Sequence, residues 1–89
     1  MKQSILAIDN DPLVLGSIKM LFANADIDVE MASSGDLGIA LFREQPNRFP
    51  VVLVDFEMKS KDGAGMDGDE VVVQLKKINP EVRIVIVSG

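Results

Sequence analysis

The chain contains no cysteine, histidine, tryptophan or tyrosine. Without cysteine there is no disulfide, no thiolate metal site and no thiol nucleophile, and a reducing, cytoplasmic setting is expected. Without histidine the usual general base and the commonest transition-metal ligand are missing. Aromatic side chains are limited to four phenylalanines, so an aliphatic core is expected from the 47% apolar content. Basic residues are also scarce: nine Lys and Arg face fourteen Asp and Glu, a net charge of −5. That balance argues against a nucleic-acid footprint or an anionic membrane surface as the direct partner and suits a chain that collects cations. The apolar run in Met1–Asp9 is too short for a signal peptide or a membrane span. At 89 residues the chain makes a single small domain, residues 1–89, which buries about 60–65% of its unfolded surface.

What is present centres on Val51-Val52-Leu53-Val54-Asp55. An unbroken aliphatic run without polar alternation suits a strand buried on both faces of a parallel sheet. Asp55 stands where that strand ends, and ligands of open α/β sheets bind at the carboxyl ends of the strands. Ser4–Ile8 reads as a similar strand, closing on Asp9-Asn10-Asp11. Asp11-Pro12 is a helix N-cap followed by its first turn. Leu13, Val14, Ile18, Leu21, Phe22 and Ala25 recur at helical spacing, which predicts a helix over Pro12–Ala25. Asp28–Ala32 reads as a second, edge strand. Ser33 and Asp36 sit at capping-box spacing, and Leu37, Ala40 and Leu41 mark the inner face of a helix that Pro46 stops. Lys59–Gly65 is a polar, Gly-rich loop expected to be mobile. A third helix is expected over about Asp69–Ile78, with Val71, Val72, Leu75 and Ile78 inward, and a buried strand over Arg83–Ser88. Strands alternating with helices through short connections imply a parallel sheet.

Asp9 and Asp55 thus end two strands. If those strands are neighbours, their backbones lie about 4.8 Å apart. Asp9, Asn10, Asp55 and Glu57 would then crowd one pocket, where mutual repulsion favours a neutralising cation. An open, all-oxygen site suits Mg²⁺, which keeps several of its waters. Ser88 ends another strand at the same rim.

In order and spacing, Ile8-Asp9-Asn10-Asp11-Pro12, Val54-Asp55, Met58, Met66-Asp67-Gly68 and Ile84-Val85-Ile86-Val87-Ser88-Gly89 resemble the receiver domain of two-component response regulators. The resemblance runs through the whole chain. It implies a flavodoxin-like (CheY-like) doubly wound parallel sheet, truncated after the fourth strand and lacking the usual fourth helix, fifth strand and fifth helix. It also implies that Asp55 accepts a phosphoryl group from a sensor histidine kinase or phosphotransfer protein. By the same resemblance Asp9, Asn10, Asp55 and the backbone carbonyl of Glu57 hold Mg²⁺, and Ser88 is the hydroxyl that reads the acyl phosphate. Such a module is no enzyme beyond turning over its own aspartyl phosphate.

The chain departs from the family pattern in four places. Asn10 replaces the usual second acid, a change that should weaken Mg²⁺ binding. Glu57 adds a charge two residues after Asp55. The following loop is about five residues longer than the motif. The phosphate-pairing lysine of the fifth strand is missing, and none of Lys59, Lys61, Lys76 or Lys77 stands in its place. An unpaired fourth strand and a bare sheet face predict self-association through that edge or face. Two rival functions follow from the same residues. One is a non-phosphorylated pseudo-receiver that binds proteins. The other is an aspartate-nucleophile phosphatase fragment, for which Asp55-x-Glu57 is a faint echo with no general acid in register.

Overall fold

The computed structural model describes residues 4–55 and 66–87. In chain order its elements are β1 (Ser4–Ile8), α1 (Pro12–Ala23), β2 (Asp28–Ala32), α2 (Gly35–Glu44), β3 (Val51–Asp55), α3 (Gly68–Ile78) and β4 (Arg83–Val87). The strands form one parallel sheet in the order β2-β1-β3-β4. This is the expected doubly wound α/β arrangement. Helix α1 packs on β1 and β2, while α2 and α3 pack on each other and on the sheet. No helix among the described residues is long and apolar enough to cross a membrane.

The main core lies under α2 and α3. It joins Leu6 and Ile8 of β1, Val52 and Val54 of β3, Ile39 and Phe42 of α2, Val71 and Leu75 of α3, and Phe49 and Val82 from the connections. Strand alternation explains the choice: every second residue of β1 and β3 points to that face. Phe42 and Phe49 stack with ring centroids 6.4 Å apart, and the Arg48 guanidinium lies 5.3 Å from the Phe49 ring centre.

The structure departs from the sequence pattern at α2, at α1 and at β4. The inner face of α2 is Gly35, Gly38, Ile39 and Phe42, whereas Leu37 is 46% exposed and Ala40 points outward. Periodicity counts apolar side chains, so it overlooks a face built on glycines that let the helix approach the sheet. On α1 only Leu15 is buried, and Leu13 and Leu21 are 79% and 74% exposed. That helix ends at Ala23, before Asn24 and the left-handed Asp26 (φ 55°), not at Ala25. The fourth strand is not buried: among the described residues it borders β3 alone, and Val85 and Ile86 are exposed.

Helix capping positions the site-bearing loops. Asp11 caps α1, its carboxylate accepting the Leu13 N–H at 2.9 Å. Asp67 caps α3 by accepting from the Glu70 N–H at 3.1 Å. At α2 the cap is Ser34, not Ser33, because the Ser34 hydroxyl reaches the Leu37 N–H, three residues on, at 3.1 Å.

Candidate functional site

β1 and β3 are paired in parallel with Ile8 opposite Val54. The next residue of each chain is therefore a carboxylate, Asp9 or Asp55, at the same rim of the sheet. Asp55 is half-buried and still within β3, opposite Val87 of β4. Asp9 is 3% exposed. Its N–H donates to the Ala32 carbonyl at 3.1 Å, tying it to the end of β2. One of its carboxylate oxygens accepts the Asp11 N–H at 2.9 Å. The turn Asp9-Asn10-Asp11 is thereby fixed from both sides before α1 begins.

Burial pushes the Asp9 carboxyl above its ordinary value, because a desolvated carboxylate is the costlier form. The Asp11 N–H bond pulls the other way. Asp55 then adds to the rise through its like charge and a side-chain hydrogen bond, and the charge of Asp11 adds further. Two carboxylates meeting at a strand rim, one of them buried, are poised to share a proton or a cation.

Asn10 is exposed at the bend, and the Asp11 carboxylate is engaged as the helix cap. Among the described residues no group of three or more His, Cys, Asp or Glu is placed to hold a metal ion. Glu57, Met58, the Lys59–Gly65 loop and Ser88 lie outside the described residues.

Sequence reading overlooked two contributors, Ala32 and Gly38. Ala32 is buried and supplies the carbonyl that receives Asp9. Gly38 lies so close to Ile8 that any Cβ there would strike the Ile8 side chain. The available signal was a glycine inside a helical pattern, a residue that propensity disfavours there against alanine.

No curated protein matches the chain. Among solved structures it is similar to a response regulator receiver domain protein from Clostridium thermocellum, at 31% identity and TM-score 0.86, covering 98% of this chain and 65% of that one. A second, a CheY-like receiver domain protein from Methanospirillum hungatei, shares 26% identity at TM-score 0.83 over 100% and 66% of the two chains. A response regulator from Burkholderia pseudomallei, solved with a phosphorylated aspartic acid, calcium ion and citrate, matches in fold at 19% identity and TM-score 0.82, over 99% and 48%. The chain spans about two thirds of the length of the first two. The family model for the response regulator receiver domain matches residues 5–89, and the chain belongs to that family.

Proposed function

We propose that the chain is a phosphorelay receiver module in which Asp55 accepts a phosphoryl group from a phosphohistidine of a sensor histidine kinase or phosphotransfer protein. The observation that carries the reading is the meeting of Asp9 and Asp55 at the carboxyl rim of the sheet, inside a family of receivers. An Asp55 oxygen attacks phosphorus in line, an O–P bond forms, and the N–P bond breaks with its electrons returning to the imidazole ring. Asp9, Asn10, Asp55 and the Glu57 carbonyl are assigned to hold Mg²⁺. The donor chemistry fits: all are oxygen ligands, and a carboxylate raised first by burial and then by the charges beside it is relieved by a hard cation. When bound, that ion supplies charge neutralisation for the phosphoryl oxygens. The calcium and phosphoaspartate of the Burkholderia relative support the same assignment by analogy. Ser88 would donate its hydroxyl to the acyl phosphate and so bias a protein-binding surface. A cytoplasmic setting and self-association through the β4 edge or sheet face belong to this reading.

Asn10 favours a second reading, a pseudo-receiver that binds proteins without phosphorylation, because a neutral amide replaces a charged ligand. Incubation with acetyl phosphate and Mg²⁺, followed by intact and peptide mass spectrometry, separates the two. The receiver gains one phosphoryl mass on Asp55, lost in Asp55→Asn and with EDTA. An unmodified wild-type chain after full exposure overturns the phosphoacceptor assignment.

A further inference from the structure

We propose that Gly38 of α2, acting through Ile8, is a positioning residue for the Asp9–Asp55 pair, a proposal that rests on reading the pair as the phosphoacceptor site. Ile8 is the residue before Asp9, and its side chain is buried in the core under α2 and α3. A Cβ at Gly38 would lie 2.6 Å from Ile8 Cγ1 and 3.3 Å from Cγ2, and closer still to Cδ1. Turning the outer bond of the isoleucine moves Cδ1 alone. Both γ carbons are carried by Cβ, whose χ1 is stiff in a β-branched residue, and the surrounding core is close-packed. A displacement of Ile8 therefore passes to the backbone of β1 at its last residue. The next residue is the buried carboxylate, whose place depends on two hydrogen bonds, Asp9 N–H to the Ala32 carbonyl and Asp11 N–H to the Asp9 side chain.

Gly35, one turn earlier on the same face of α2, repeats the arrangement. A Cβ there would lie 2.6 Å from Val71 Cγ2, 3.0 Å from Met66 Cβ and 3.1 Å from the Met66 carbonyl oxygen. Helix α2 bears on the site through packing. It seats one glycine against the strand that carries Asp9 and the other against the start of α3. Glycine in a helix interior is disfavoured by propensity. Its use here fits a requirement for close approach.

The test compares wild type, Gly38→Ala, Ile8→Ala, the double variant, which has no γ carbon left to meet the new methyl, and Val82→Ala. Val82 is a buried residue before β4, at the opposite rim of the sheet. Amide NMR follows Asp9 and Asp11 in the metal-free protein and through a titration with Mg²⁺ alone. Gly38→Ala is expected to move both metal-free resonances and weaken Mg²⁺ binding roughly tenfold, while the double variant, relieved of the γ-carbon clash, returns to within about threefold of wild type. Val82→Ala lowers stability and leaves both readouts in place. If Gly38→Ala does not fold, Ile8→Ala and the double variant still decide: the single change unseats the end of β1 and should loosen Mg²⁺ binding several-fold, and the added methyl, filling part of the vacated space, should recover part of it. Unchanged Asp9 and Asp11 resonances in every folded Gly38 and Ile8 variant, or a loss that the double variant does not repair, overturns the proposal. A wild-type chain that binds no Mg²⁺ would defeat the functional reading, while the metal-free resonances still decide the positioning.

Discussion

Asp9→Asn should make the metal-free protein more stable at neutral pH. The asparagine keeps an oxygen for the Asp11 N–H, now accepted at 2.9 Å, and removes the buried charge beside Asp55. Two like charges separated on the order of the strand spacing, about 4.8 Å, repel by roughly 3 kcal/mol at an effective permittivity near 20. Asp55 is only half-buried, so solvent screens part of this, and a net gain of about 1–2 kcal/mol is expected. The sign follows from the direction of the shift. The folded Asp9 carboxyl titrates above its ordinary value of 3.8, so the folded state binds its proton more tightly than the unfolded one. The cost of Asp9 is therefore complete above the folded value and fades as pH falls through it towards the unfolded one. Carboxylates remote from this rim are common to both proteins and cancel in the difference. With no Trp or Tyr in the chain, urea unfolding is best followed by far-ultraviolet circular dichroism. At a slope of about 1 kcal/mol per molar, the midpoint should rise by about 1–2 M at pH 7 and converge with wild type in acid. An Asp9→Asn protein equally or less stable at pH 7, or a gain that persists unchanged to pH 4, would refute the reasoning.

Gly16→Ala should stabilise the domain by about 1 kcal/mol in the same assay, because a Cβ there meets nothing within 4 Å and helix propensity alone decides. Leu75→Ala, at a fully buried position between α3 and the sheet, should cost about 2–5 kcal/mol and bring the thermal transition down steeply. Asn10→Asp should tighten Mg²⁺ binding about tenfold by calorimetry while lowering metal-free stability, since it adds a carboxylate to a site already short of cations. Ser34→Ala should cost about 1 kcal/mol through loss of the α2 cap, whereas Ser33→Ala should fall within about 0.5 kcal/mol of wild type.

The arrangement of strands and the meeting of Asp9 with Asp55 were legible because each depends on a local pattern. Apolar runs such as Val51–Val54 end on acids, and a strand's acid must emerge at its carboxyl end. Asp11 was legible as a cap for the same local reason, as Pro12 follows it. Helix faces were less so. Leu37 and Ala40 looked inward because glycine carries no side chain to register in a hydrophobic pattern, yet Gly35 and Gly38 form the contact face of α2. Leu13 and Leu21 belong to the helical stripe of α1 and are exposed, because periodicity shows which residues share a stripe, not whether anything covers it. The run in β4 suggested burial, but a strand's exposure depends on its place in the sheet, and β4 is an outer strand among the described residues. Ser33 and Ser34 are equivalent in type. Only the three-residue reach from Ser34 to the Leu37 amide separates them.

The central claim is that Asp9 and Asp55 serve one cation. Amide NMR of the wild-type chain titrated with Mg²⁺, beside Asp9→Asn and Asp55→Asn, tests it most directly. Saturable shifts at Asp9, Asp11 and Asp55 are expected in wild type, with their loss in either variant. Shifts that stay away from this rim, or that survive removal of either carboxylate, would contradict it.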